Sequence, residues 1–266
     1  MLSVLDDEQA TVRHAALTSL QSYRDEKIGS EVINRYKGFD GATQEVARTL
    51  LATRANWSWQ LVEAVTAGRI DKESFPGEQV AQIRLHQDAA LQAKVEKVWG
   101  ELRAPTPEYF QKEIDRIHEI LKEGKSNPYD GKPLFMNKCA ACHKLFADGG
   151  SIGPDLTGYQ RKDTGNMLLN IVHPNAEIRE GYENYVVTMK DGRVIMGFKA
   201  DEDNAIMVIR GMDGQSISLK REGIAKINAI GSSLMPQGLL NGMSDQQIRD
   251  FFAYFRTTQP LVGGKR

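Results

Sequence analysis

Hydrophobic residues recur at helical spacing in the first half of the chain and at strand spacing in the second half. The helical positions form two stripes, Val12, Ala15, Ala16 and Leu20, then Val46, Leu50 and Leu51. The distance in sequence between Val12 and Val46, where the two stripes begin, is typical of the length of one helical repeat. Residues 1–125 are therefore predicted to form an α-helical, HEAT-like domain.

The strand-like pattern covers about residues 183–230. It consists of five short apolar or alternating runs, at 185–189, 194–199, 205–210, 216–220 and 224–230. Asp191-Gly192 and Asp213-Gly214 lie between runs and are hairpin signals. This pattern predicts a small antiparallel β-meander of about five strands.

A last helix is predicted near the C-terminus. Ser244 and Gln247 have the spacing of a capping box. Ile248, Phe251, Phe252 and Phe255 then follow at the spacing of one helical face. We therefore expect an aromatic helix that packs against the rest of its domain.

The amino-acid composition and net charge indicate the general class of protein and the partners that it is not expected to bind. The chain has 266 residues, of which 41% are hydrophobic and 26% charged, and a net charge of −1. These values are ordinary for a globular protein and favour neither nucleic acid nor an anionic membrane as a partner. No apolar run is long enough for a membrane span, and the N-terminus has no secretory signal pattern.

The two cysteines lie together in the pentapeptide Cys139-Ala140-Ala141-Cys142-His143. Two thiols at this spacing can add to the two vinyl groups of one porphyrin, and the histidine after them can bind its iron. A structural zinc site is an alternative, but it needs about four ligands. A thioredoxin-like redox pair is another, and it needs a strand before the motif. The motif therefore favours covalent haem.

A turn-rich segment, GPDLTG at 153–158, follows the pentapeptide. Pro154 has a free carbonyl and a fixed φ, so it is the predicted acceptor for the second ring N–H of His143. A plain surface turn is the alternative. Tyr159 and Arg161 come just after the turn and are predicted to contact haem propionates.

The sixth iron ligand is predicted to be Met235, in a Met-Pro loop. A thioether opposite the histidine raises the reduction potential. Met243 is the main rival among the nine methionines. His173 is a further rival, because it would give bis-histidine ligation.

The order of these motifs resembles class I cytochrome c. The details are closer to the Planctomycete/Verrucomicrobium-type haem-binding domain, on the segments IVHPNAEI at 171–178, YENY at 182–185, DGR at 191–193 and SLMP at 233–236. The resemblance covers roughly residues 126–258. It implies covalent haem c, electron transfer, and membership of a larger exported protein with a dehydrogenase-like or helical-repeat part.

The sequence thus predicts a mainly α fold with a β insertion, divided into a helical domain at 1–125 and a cytochrome c-like domain at 126–266. We expect one covalent haem c, bound by Cys139, Cys142, His143 and Met235, that transfers single electrons and has no catalytic residues. The strands are expected to shield the haem edge or to dock a redox partner, which is a separate protein or a fused dehydrogenase. Attachment of haem c implies a periplasmic or otherwise exported location, so we expect a fragment or mature form. A haem peroxidase, a haem-based ligand sensor and a non-haem interaction protein are the alternatives.

Overall fold

The computed structural model describes residues 2–100 and 105–262. Within these ranges the chain forms ten α-helices and one five-stranded antiparallel sheet. No helix in the described ranges has the length and apolar character that crossing a membrane requires. The described residues separate into two compact units, one made of 2–100 and 180–234 and the other of 105–179 and 235–262.

The first unit, here called the helix–sheet unit, begins with six helices. They are α1 (Ala10–Leu20), α2 (Lys27–Arg35), α3 (Gly41–Ala52), α4 (Ala55–Thr66), α5 (Gly77–Arg84) and α6 (Ala89–Trp99). Helix α3 packs against α1 and α5, and α4 packs against α2 and α6. The helices thus form two rows of three, and their shared core includes the fully buried Trp57 and Leu17. Assignment to HEAT-like repeats stays a prediction.

The predicted β insertion is present as β1 (Asn184–Met189), β2 (Val194–Glu202), β3 (Ile206–Arg210), β4 (Ser216–Lys220) and β5 (Ile224–Ile230). The strand order is β4-β3-β2-β1-β5. A simple meander would place β5 beside β4, so that part of the prediction is wrong. The register of β2 against β3 shifts between Lys199 and Asp201, and this irregularity bends the sheet. Apolar residues from all five strands pack together in one cluster. This curvature explains how β5 reaches β1.

The sheet packs against the six helices through the turn between β1 and β2. The backbone N–H of Val194 donates to the carbonyl of Thr53 at 2.9 Å. Gln82 donates to the carbonyl of Val194 at 3.0 Å. The buried Arg54 donates to the backbone carbonyl of Asp191 at 3.0 Å and also pairs with its carboxylate. The strands therefore belong to the same compact unit as the helices, whereas the sequence assigned them to the cytochrome c-like domain.

The second unit, here called the CxxCH unit, contains four helices. They are α7 (Pro107–Lys122), α8 (Pro128–Lys138), α9 (Thr164–Val172) and α10 (Asp245–Phe255). Helix α10 packs against α7 and α8, and α7 packs against α9. Helix α7 buries Phe110 and Ile117 in the same core as α9 and α10, so this unit begins before the predicted boundary at residue 126.

Helix α8 begins with residues that are more typical of turns than of helices. Asn127 caps it by accepting a hydrogen bond from the backbone N–H of Tyr129 at 3.0 Å, and Pro128 takes the first helical position. Gly131 lies at the crossing with α10, where an added Cβ would overlap the carbonyl oxygen of Asp250. The turn-like residues thus start a helix and let a second helix approach closely.

Helix α10 begins with the predicted capping box between Ser244 and Gln247. The predicted apolar face is buried, together with Tyr254. The buried carboxylate of Asp250 accepts a 2.7 Å hydrogen bond from the backbone N–H of Asn127. An anionic acceptor at the N-terminus of α8 also favours its dipole. These contacts fix the helix pair that supports the segment from Cys139 to His143.

Candidate functional site

The two cysteines follow directly after α8, where the helix ends. The backbone N–H of Cys139 donates to the carbonyl of Phe135, and that of His143 donates to the carbonyl of Cys139, both at 2.8 Å. The pentapeptide is therefore a tight turn that continues from a helix. A thioredoxin-like motif follows a strand and starts a helix, so this arrangement does not match that alternative.

His143 is held by the predicted acceptor. Its Nδ1 lies 2.9 Å from the carbonyl oxygen of Pro154. A carbonyl only accepts, so Nδ1 carries the hydrogen and Nε2 keeps a free lone pair. This is the orientation and tautomer that a metal-binding imidazole needs.

The turn after the pentapeptide wraps closely around it. The backbone N–H of Gly150 donates to the carbonyl of Ala140 at 2.7 Å, and that of Gly153 donates to the carbonyl of Cys142 at 2.8 Å. A Cβ on Gly153 would lie 2.5 to 3.0 Å from three atoms of the His143 ring. Only glycine at this position lets the turn pass flat against the imidazole.

The surroundings of the pentapeptide exclude much of the water. Burial raises the pKa of the Cys139 thiol to about 12, and the neighbouring Cys142 adds to this shift. Burial also lowers the pKa of His143, although its hydrogen bond to Pro154 acts in the opposite direction. Both groups are thus held in their neutral forms by an apolar environment.

Met235 and Met243 both lie half-buried against the apolar core of the CxxCH unit. They flank the loop that leads into α10, which has no regular secondary structure at Met235. The unit therefore contains both predicted sources of a thioether ligand. The choice of Met235 over Met243 stays a prediction.

His173 has a different environment. Its ring stacks on that of Phe110, with the centroids 3.8 Å apart and the planes 8° from parallel. His173 is also the C-cap of α9. The structure thus places the rival histidine in a packing contact with α7.

Tyr159 packs half-buried against the core of the CxxCH unit, and its predicted propionate contact stays a prediction. The predicted propionate contact of Arg161 also stays a prediction, and the structure shows the contacts that its guanidinium makes within the chain. Arg161 is only 7% exposed, and four of its five N–H groups donate to backbone carbonyls, those of Leu156, Thr157, Phe255 and Thr257. The sequence could not show this, because two of the acceptors lie more than ninety residues away.

The residues present fit a covalently attached haem. Two thiols that form no disulfide lie at the required spacing, and the hydrogen bond from Nδ1 to Pro154 orients the imidazole after them so that Nε2 can bind a metal. Glycines line the turn that faces the imidazole. Among residues 2–100 and 105–262, no three His, Cys, Asp or Glu side chains group as a metal site would require. A zinc site therefore lacks a ligand set in that part of the chain.

Comparison with known proteins agrees with this chemistry. The family model of cytochrome c matches residues 129–210. The match runs from the start of α8 to the end of β3, so it includes Cys139, Cys142 and His143 but ends before Met235 and α10. A search of curated proteins found no match to the chain. Residues 129–210 are therefore similar to cytochrome c.

Proposed function

We propose that this protein is a c-type cytochrome that transfers single electrons through one covalently bound haem. The observation that carries the proposal is the His143 imidazole, directly after the Cys-X-X-Cys pair and oriented by Pro154, in a segment that matches cytochrome c. Bound haem would supply the one-electron chemistry, and the residues of the chain would attach, ligate and shield it.

Cys139 and Cys142 are the proposed attachment points. Each thiol would hold the haem by a thioether bond to one vinyl group, an addition in which the thiol hydrogen would pass to the other vinyl carbon with no electron gained or lost. Both side chains are half-buried, and Cys139 packs against the core of the CxxCH unit. Two links at this spacing would hold the ring with one face towards His143.

His143 and Met235 are the proposed axial ligands. The hydrogen bond from Nδ1 to Pro154 makes Nε2 of His143 a stronger donor. The thioether of Met235 would favour the reduced iron and raise the potential. Iron bound by these two side chains would be suited to electron transfer, because they would leave no position for a substrate.

The wider setting is proposed from the resemblance of residues 126–258 to the Planctomycete/Verrucomicrobium-type haem-binding domain. We infer an exported or periplasmic protein that receives electrons from a dehydrogenase, fused or separate. The rows of helices in the helix–sheet unit are then a HEAT-like scaffold or interaction module. The sheet is a candidate docking surface for the redox partner, because it packs with that scaffold through Asp191 and Val194.

Absorption spectra and carbon monoxide binding test the proposal on protein made with the haem-attachment machinery. We expect a six-coordinate low-spin iron in both oxidation states and no rapid carbon monoxide binding by the ferrous form. A high-spin ferrous form that binds carbon monoxide at once would contradict electron transfer and favour a haem peroxidase or ligand sensor. Absence of haem would favour the non-haem interaction protein.

A further inference from the structure

Arg161 joins three parts of the CxxCH unit. Its Nε donates to the carbonyl of Leu156 at 2.8 Å, and its Nη2 donates to that of Thr157 at 3.2 Å. Its Nη1 donates to the carbonyls of Phe255 and Thr257, at 2.9 and 2.8 Å. The guanidinium thus connects the turn at 154–157 to the last residues of α10 and the segment after it.

The third part is the segment just after His143. The guanidinium carbon of Arg161 lies 5.1 Å from the centroid of the Phe146 ring. Phe146 has a φ of 59°, in the left-handed region, and its backbone N–H donates to the hydroxyl of Thr157 at 2.7 Å. A residue in this conformation needs support from its surroundings. Arg161 and Thr157 provide that support from two sides.

Two of the carbonyls that accept hydrogen bonds from Arg161 lie close in sequence to the carbonyl that accepts from the His143 imidazole. The carbonyl that accepts from His143 belongs to Pro154, two residues before the first carbonyl that Arg161 holds. Two backbone hydrogen bonds of the turn, from the N–H of Gly153 to the carbonyl of Cys142 and from the N–H of Leu156 to the carbonyl of Lys144, lead back to the segment around His143. The bonds of Arg161 are those that connect the turn to α10.

We propose that Arg161 is a positioning residue for His143: by fixing the 154–157 turn to the end of α10, it holds the Pro154 carbonyl against the imidazole and so sets the reduction potential of the haem without contacting it. The inference rests on the proposed function, because it needs a haem iron bound to His143. It assigns the guanidinium to backbone carbonyls in place of haem propionates.

Arg161 can act on the reduction potential of the haem through the position of His143 or through its own positive charge. These two effects have opposite signs. A firm hydrogen bond from Nδ1 makes the imidazole more basic, which stabilises the oxidised iron, so loosening it should raise the potential. A positive charge near the haem stabilises the reduced state, so removing that charge should lower the potential. A substitution that keeps the charge and removes the planar donor group separates the two effects.

The test is the midpoint potential of Arg161→Lys holoprotein, compared with the parent and with Arg256→Lys. Lysine keeps the charge but cannot hold four carbonyls. We expect a higher potential, seen as a severalfold larger ratio of reduced to oxidised protein at the parent's midpoint. Arg256 lies over the Phe252 ring near the same helix end and is the matched control, for which we expect no change.

An unchanged or lower potential for Arg161→Lys would overturn the proposal, and so would an equal shift in Arg256→Lys. If the lysine variant does not fold, Phe146→Leu removes the ring beneath the guanidinium and keeps the charge. The potential should rise in that variant too, and an unchanged value would count against the proposal. A parent protein without haem, or with a high-spin iron, would instead show that the proposed function is wrong.

Discussion

Replacing Met235 with alanine is expected to remove the methionine–iron charge-transfer band of the oxidised protein and to lower its reduction potential. The thioether stabilises ferrous iron more than ferric iron, so its loss favours the oxidised state. Axial ligands move haem potentials over about 0.8 V, and we expect a fall that is a sizeable part of this range. The absorption spectrum and a redox titration of the variant measure both effects.

Met243→Ala is the matched control for this prediction. Met243 lies half-buried against the same core and flanks the same loop, so its loss should have a similar packing effect. We expect Met243→Ala to keep the charge-transfer band and a potential close to that of the parent. The opposite result, with the band lost only from Met243→Ala, would show that Met243 is the ligand.

Replacing Gly131 with alanine is expected to destabilise the CxxCH unit by about 3 kcal/mol. The added Cβ would overlap the carbonyl oxygen of Asp250 and lie 2.9 Å from the Cβ of Tyr254, so α8 and α10 would have to separate. Backbone atoms in a packed helix pair cannot move aside as a flexible side chain can. Denaturant unfolding, followed by helical circular dichroism, measures the change in free energy of unfolding.

Gly165→Ala is the control for Gly131→Ala. Gly165 lies in α9, and the nearest atom to an added Cβ is a side-chain oxygen of Asp163 at 3.7 Å. Because alanine is a better helix former than glycine, this variant should be as stable as the parent or more stable, by up to about 1 kcal/mol. Equal stability of Gly131→Ala and the parent would mean that the helices do not cross at Gly131.

Elements with strong local signals were predictable from the sequence. The capping box and aromatic spacing of α10 describe a helix that is amphipathic by itself, and the alternation in 184–230 identifies the strands. The acceptor for His143 was also predictable, because Pro154 is close in the chain and has few possible roles. These features depend on residues near one another in sequence.

Features that depend on distant contacts were not predictable. Pro128, Gly131 and Pro133 are poor helix formers, yet α8 forms because Asn127 caps it and α10 packs against the glycine. The position of β5 beside β1 follows from the bend in β2. The role of Arg161 depends on carbonyls at the end of α10. In each case the deciding partner lies far away along the chain.

The central claim is that Cys139 and Cys142 hold a haem covalently, and the intact mass of the denatured protein tests it most directly. The protein is made together with the haem-attachment machinery and compared with the Cys139→Ala/Cys142→Ala double variant. We predict that the parent has the mass of the polypeptide plus one haem and that the variant has the mass of the polypeptide alone. A parent protein with the unmodified polypeptide mass would contradict the claim.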